Sequence, residues 1–241
     1  YKNTGMTEQF NSDFVEGVKK ILNVFTTEQD HAQSPYLFER DTWRQEDTLV
    51  EAGKGTPVGK TGMTWSGFRP SDDACQYGYL VPSNMFAVVI LGYIQEIFSD
   101  VLEDATIVAI AKKLQEEIEE GIQTFGRTKN QNNETIYAYE VDGLGNASVM
   151  DDSNVPNLVA APYLGYCSTE DEQYLTTRQT LLSKENPYFY EGKYAKGIGS
   201  SHTPENYVWP IALAMEGMTT KDKAEKERIL DLLVATDAGT H

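Results

Sequence analysis

Asp72 and Asp73 stand side by side in residues 64–86, TWSGFRPSDDACQYGYLVPSNMF, with Arg69 just before them and Trp65, Phe68, Tyr77 and Tyr79 close by. Carboxylates, a guanidinium and aromatic rings are poor material for a core and good material for a polar pocket with flat apolar walls. Such a pocket suits a sugar, which carries hydroxyls on its rim and C–H groups on its faces. One of two adjacent carboxylates tends to be raised in pKa by its neighbour's charge and by burial. A carboxyl still protonated near neutrality can act as a general acid. The plainer reading is that both aspartates are turn or cap residues, with Pro70 stiffening the entry and Ser71 or Asp72 making a local turn bond.

Three further clusters invite the same question. In 151–157, DDSNVPN, two Asp and two Asn could bridge vicinal hydroxyls. Helix capping by Ser153 or Asn154 is the simpler role, and calcium is a rival ligand, although the spacing is not that of an EF-hand. In 197–210, GIGSSHTPENYVWP, Gly197 and Gly199 permit a tight backbone, His202, Thr203 and Glu205 are polar, and Trp209 offers a platform. No GK[ST] follows, so this is not a phosphate-binding loop. In 40–47, RDTWRQED, Arg40, Trp43 and Arg44 could line a pocket mouth or form a surface salt-bridge cluster.

Composition narrows the partners. Twenty Lys and Arg against 37 Asp and Glu give a formal net charge of −17. Such a chain repels nucleic acid and anionic membrane at long range, so a neutral or cationic partner is expected. Much of the charge also serves solubility. No apolar run approaches the length needed to span a bilayer. Two cysteines, Cys75 and Cys167, do not make a disulfide framework or a four-Cys zinc site, and two free thiols are expected. With three histidines and no HExxH, no metal or other cofactor is expected.

The elements that must carry these motifs are mostly helical. Phe10, Phe14, Val18, Ile21, Leu22 and Phe25 predict an amphipathic helix over 7–27. Residues 50–63 read as loop. Ser83 or Asn84 could cap an apolar, buried helix over 85–98. Ile107, Ile110, Ala111, Leu114, Ile118 and Ile122 mark one face of a helix over 102–122, with glutamates on its wet side. Alternation over 136–141 before Asp142-Gly143-Leu144-Gly145-Asn146 predicts a small β-hairpin near 136–150. Short helices are expected over 157–164 and 170–182, irregular chain over 187–201, a helix over 207–218 despite Pro210, and a last helix capped by Thr219 or Thr220. No βαβ alternation occurs, so a doubly wound fold is not expected. Helix pairs with long loops gathered at one end fit a helical toroid.

With these residues in place, GFRPSDDACQYGYLVPSNMFAVV, MDDSNVPNLVAAPYLGY and SSHTPENYVWPIALAMEG resemble the catalytic domain of glycoside hydrolase family 125. The resemblance implies a mainly α, (α/α)6 toroid, a six-hairpin barrel. On that reading residues 1–241 are a single domain and a part of the barrel, incomplete at both ends. It implies an exo-acting, inverting α-1,6-mannosidase on mannose-containing oligosaccharides, without a metal. An inverting enzyme pairs a carboxylic acid with a carboxylate base about 6.5–9.5 Å apart. The family acid aligns with Asp72, with Asp73 as the close rival, and the base is expected to be a Glu just beyond His241. Trp65, Arg69, Asp152, Asn154, His202, Thr203 and Trp209 are expected to bind the substrate, with Trp43 as a further stacking ring. The family includes members without export signals, so a cytoplasmic location is expected.

Overall fold

The computed structural model describes residues 1–202 and 204–236. The long helices follow the apolar periodicity, and polar caps fix their ends. Helix α1 (Ser12–Glu28) starts at Asn11, whose side chain accepts the N–H groups of Asp13 and Phe14. It therefore begins later than the apolar pattern alone predicts. A single turn, α2 (Val50–Gly53), interrupts the expected loop, with Glu51 and Ala52 at positive φ.

Helix α3 (Val81–Asp100) begins before the predicted start, because Pro82 sits in its first turn, where no donor is lost. Asn84 lies inside the helix and caps nothing. Its amide instead bonds Thr64 N and O at 2.8 and 3.0 Å, tying the helix to the segment that leads into the Asp-Asp loop. By length and composition α3 is long and apolar enough to cross a membrane, which the sequence reading did not anticipate. In the structure its Leu91, Ile94 and Phe98 are buried in the main core. Helix α4 (Ala105–Phe125), capped by Asp104, packs along α3. Ile107, Ala111, Leu114, Ile118 and Ile122 are buried as expected, but Ile110 is exposed.

The predicted hairpin divides between two sheets. Ile136 lies in β3 (Thr135–Tyr137), which pairs with β2 (Arg127–Lys129). The Asp142–Asn146 turn joins β4 (Glu140–Val141) to β5 (Ala147–Ser148). Strand β1 (Tyr79–Leu80) pairs with the other edge of β4, Leu80 opposite Glu140, so the chain leaving the Asp-Asp loop is fastened to this sheet. Next come the single turn α5 (Ala161–Leu164), shorter than the predicted helix, and α6 (Glu172–Leu181), capped by Asp171.

Residues 187–201 are not irregular. They form the hairpin β6 (Phe189–Glu191) and β7 (Lys196–Ile198). Pro210 opens α7 (Pro210–Met218), and α8 (Lys223–Thr236) packs against α7. The cap of α8 is Asp222, which accepts from Ala224 N at 2.8 Å; Thr220 instead accepts from Asp222 N. The described chain is mainly helical with a few short strands. Both cysteines are free thiols.

Candidate active site

Residues 67–75 form a narrow hairpin of their own. Cys75 N donates to Gly67 O at 2.9 Å, Arg69 N to Asp73 O at 2.8 Å and Asp72 N to Arg69 O at 3.0 Å. Pro70 falls where its fixed φ suits such a turn. Asp72 closes the tip with φ of 68°, a left-handed conformation that costs a non-glycine residue about 1–2 kcal/mol. Such outliers collect at functional sites when the surroundings hold them in place.

The two adjacent aspartates have opposite environments. Asp72 is exposed and its side chain has no hydrogen bond or ion pair among the described residues. Asp73 is 3 % exposed. Its Oδ2 accepts the Ser201 hydroxyl. Its Oδ1 lies 3.0 Å from His202 Nε2, a charge contact without the alignment of a hydrogen bond.

Three loops meet here and close a ring. The tip of the first loop reaches the second through Ser71 Oγ, which donates to Asp152 Oδ2 at 2.6 Å. Across to the third loop runs Ser153 Oγ, which donates to Gly199 O at 3.1 Å. The ring closes through Ser201 and His202 onto Asp73. Residues 40–47 attach outside it, where Ala74 N donates to Glu46 O at 2.8 Å. Those residues form the surface cluster, with Arg44 2.9 Å from Glu46 and 3.8 Å from Asp47, while Trp43 is 91 % exposed.

Arg69 and Glu140 form the floor. Arg69 Nε donates to Glu140 Oε1 at 2.5 Å, and the guanidinium lies 5.9 Å from the Tyr139 ring centroid. Glu140 Oε2 accepts from Gln76 N at 3.0 Å and Tyr77 N at 3.1 Å. Burial opposes the charge on Arg69, but the Glu140 bond and charge outweigh it and raise its pKa above the usual arginine range. Burial, with the charge of Glu140 beside it, pushes the Cys75 thiol well up, so Cys75 is an inert filler of this floor.

Asp151 and Asp152 are both fully buried. Asp151 accepts the N–H groups of Ser153, Leu158 and Val159. Burial still pushes its carboxyl up to about 7, reinforced by the charge of Asp152. The capping expected of Ser153 or Asn154 does not occur: α5 has no side-chain cap, and the turn before it is held by Asp151 and by Asn157, whose Oδ1 accepts Ala160 N at 2.8 Å. Because Asp151 is filled by backbone donors, it is not an open calcium ligand. Among the described residues no group of three or more His, Cys, Asp or Glu side chains is placed to hold a metal ion.

Asp72, Asp73, Arg69, Asp152, Asn154 and His202 are therefore brought into one neighbourhood. Asn154 is half-buried and donates to Asp152 O at 3.0 Å. Trp209 is half-buried at the start of α7, its backbone N–H donating to Ile198 O at 3.0 Å. Trp65 is misplaced as a sugar platform. It is 7 % exposed and stacked on His31 with centroids 3.4 Å apart, so one face is already covered. Asp152 is likewise closed to a sugar hydroxyl by its own burial. Thr203 lies outside the described residues.

Sequence reasoning passed over Glu140, Tyr139, Ser201 and Tyr188. The pKa of Tyr188 is raised by burial, and the charges of Arg69, Asp73 and Asp152 also act on it, so it borders the same cluster. Glu140 did leave a signal: a carboxylate inside the aromatic strand run Ile136-Tyr137-Ala138-Tyr139 must have a buried partner. A separate hollow of about 510 Å³, lined by Tyr93, Gln115, Glu119, Tyr166 and Asp171 among others, contains none of the candidate residues. Its chief polar groups already bond one another.

A family model described as metal-independent alpha-mannosidase (GH125) matches residues 1–241. A solved Streptococcus pneumoniae structure, from work on metal-independent α-mannosidases and N-linked glycan processing, superposes with a TM-score of 0.97 at 62 % identity. It is a non-productive substrate complex with α-1,6-mannobiose, and the match covers 99 % of this chain and 57 % of that one. The meiotically up-regulated gene 157 protein of Schizosaccharomyces pombe is 38 % identical over 206 residues, 85 % of this chain and 40 % of the relative. The chain thus spans little more than half the length of the solved relative and less than half of the yeast one. With the family model matched from the first residue to the last, the chain belongs to glycoside hydrolase family 125, the metal-independent α-mannosidases.

Proposed function

We propose that this chain is part of an exo-acting, inverting α-1,6-mannosidase built on an (α/α)6 toroid, with Asp72 as its general acid. The observation that carries the assignment is the contrast between the two aspartates. Asp72 projects from the hairpin tip with its carboxyl unbonded among the described residues, whereas both oxygens of Asp73 face Ser201 and His202. An acid must reach the glycosidic oxygen, and Asp72 can do so without breaking a contact.

In this reading Asp72 gives its proton to O6 of the departing mannose as the C1–O6 bond breaks. Water attacks C1 from the opposite face and loses its proton to a carboxylate base. A glutamate following His241 is proposed for that role, because Asp73, Asp151, Asp152 and Glu140 are each committed to donors. His202, Arg69, Asn154 and Trp209 would grip the terminal mannose, with Thr203 as a further hydroxyl ligand and Asp73 holding His202 from behind.

The test uses the whole natural protein with α-1,6-mannobiose, the anomer of the first product being read by NMR. Release of β-mannose is expected. Asp72→Asn should lower turnover by about 10²–10⁴-fold, the usual contribution of a positioned acid. Unchanged turnover in that variant would refute the assignment. Binding without release in the wild type would favour a carbohydrate-binding toroid instead.

A further inference from the structure

We infer that Asp152 is a positioning residue that aims the acid, by holding the hairpin tip through Ser71. The inference rests on the reading of Asp72 as acid. Asp152 is fully buried and cannot touch a sugar. Its Oδ2 accepts the Ser71 hydroxyl at 2.6 Å. Its Oδ1 accepts the Tyr139 hydroxyl at 2.9 Å and Asn154 N at 3.4 Å. Tyr139 is itself fully buried, immediately before β4. The carboxylate is thus fixed by groups from the sheet and from its own loop, and its remaining strong acceptor oxygen faces the residue next to Asp72.

That position matters because Asp72 is in the left-handed region, with φ of 68°. Released from its neighbour, the tip is free to shift and relieve that strain. The Asp72 side chain would then leave the tip in another direction. The backbone bonds at the neck of the hairpin, Cys75 N to Gly67 O and Arg69 N to Asp73 O, do not involve Ser71 and would keep the loop folded. The Ser71–Asp152 bond therefore controls where the acid points and not whether the hairpin exists.

The experiment compares two substrates in the whole natural protein. The leaving sugar of α-1,6-mannobiose needs a proton, and the phenolate of 2,4-dinitrophenyl α-mannoside does not. Asp152→Asn and Ser71→Ala should each lower kcat/KM on mannobiose by about 10²-fold, as expected for a group misplaced by about 1 Å, and change the dinitrophenyl substrate by less than about threefold. Ser71→Ala removes only a hydroxyl, so it reports even if Asp152→Asn folds poorly. Asp72→Asn run in parallel should show the same selectivity. If Asp72→Asn shows it and neither other variant does, or if they lower both substrates equally, this inference fails alone. If Asp72→Asn itself shows no selectivity, the acid reading fails and takes this inference with it.

Discussion

Glu140 should be the residue whose loss costs this part of the molecule most. It is fully buried, and the Arg69 side chain paired with it is 9 % exposed. Glu140→Met removes one half of a buried ion pair and leaves the guanidinium uncompensated, which costs about 3–5 kcal/mol. Gln76 N and Tyr77 N lose their acceptor at the same time. An orphaned buried N–H costs about 1–3 kcal/mol, but these groups share one carboxylate, so the figures overlap and do not add. A loss of about 3–5 kcal/mol is a large share of the roughly 5–15 kcal/mol by which folded domains are stable. The assay is urea unfolding of the natural protein, the Arg69→Met variant, the Glu140→Met variant and the double variant. Because the double variant leaves no orphan charge, it should be more stable than Glu140→Met alone. A Glu140→Met cost below about 1 kcal/mol, or a double variant as unstable as the two single losses summed, would refute the argument that the pair is a buried clamp.

The remaining predictions concern a titration and a contact. Asp151 has a folded pKa of about 7 against a reference of 3.8, raised chiefly by burial. Between those values the folded state holds a proton that the unfolded chain has lost, so this group's contribution to stability falls as pH rises and is flat above about 7. The difference in unfolding free energy between wild type and Asp151→Asn should follow that slope, and a pH-independent difference would contradict it. At Gly78 a Cβ would fall inside contact distance of Trp65 Nε1 and Cδ1. Gly78→Ala should destabilise by at least about 1–3 kcal/mol through overpacking, whereas Gly145→Ala meets no neighbour and should show only the backbone cost of its positive φ. Equal unfolding midpoints for the two variants would count against the packing argument.

What could be read from the sequence was what repeats or caps. The buried stripe of α4 follows from spacing alone, because every third or fourth apolar residue must share a face. Ile110 failed because it sits at the edge of that stripe. The hairpin of β6 and β7 left no alternation to read: its tyrosines, lysines and glycines carry no clear two-residue pattern, and long-range pairing to Tyr188 and Trp209 fixes it instead. Asn84 looked like a cap because its type and place suit one. Its amide is taken by Thr64, a partner twenty residues away that local pattern cannot reveal. Trp65 looked like a platform for the same reason. His31 stacks on one of its faces, and no spacing rule links the two rings.

The site shows why residue type found the neighbourhood and not the roles. Sequence marked four polar clusters; three of them meet, and residues 40–47 attach outside. Within them, however, each carboxylate takes its chemistry from the donors it faces. Asp151 faces backbone N–H groups, Asp152 faces two hydroxyls, Glu140 faces a guanidinium and two N–H groups, and Asp73 faces a serine and a histidine. A carboxylate filled by donors is held as an acceptor and is poorly placed to give a proton away. Asp72 differs because it closes the hairpin tip at positive φ, with its side chain outside the ring of bonds. Two neighbouring letters thus acquire opposite environments, and one of them an unusual dihedral angle. On the proposed reading that angle is held from the second loop, 81 residues along the chain, through the Ser71 hydroxyl.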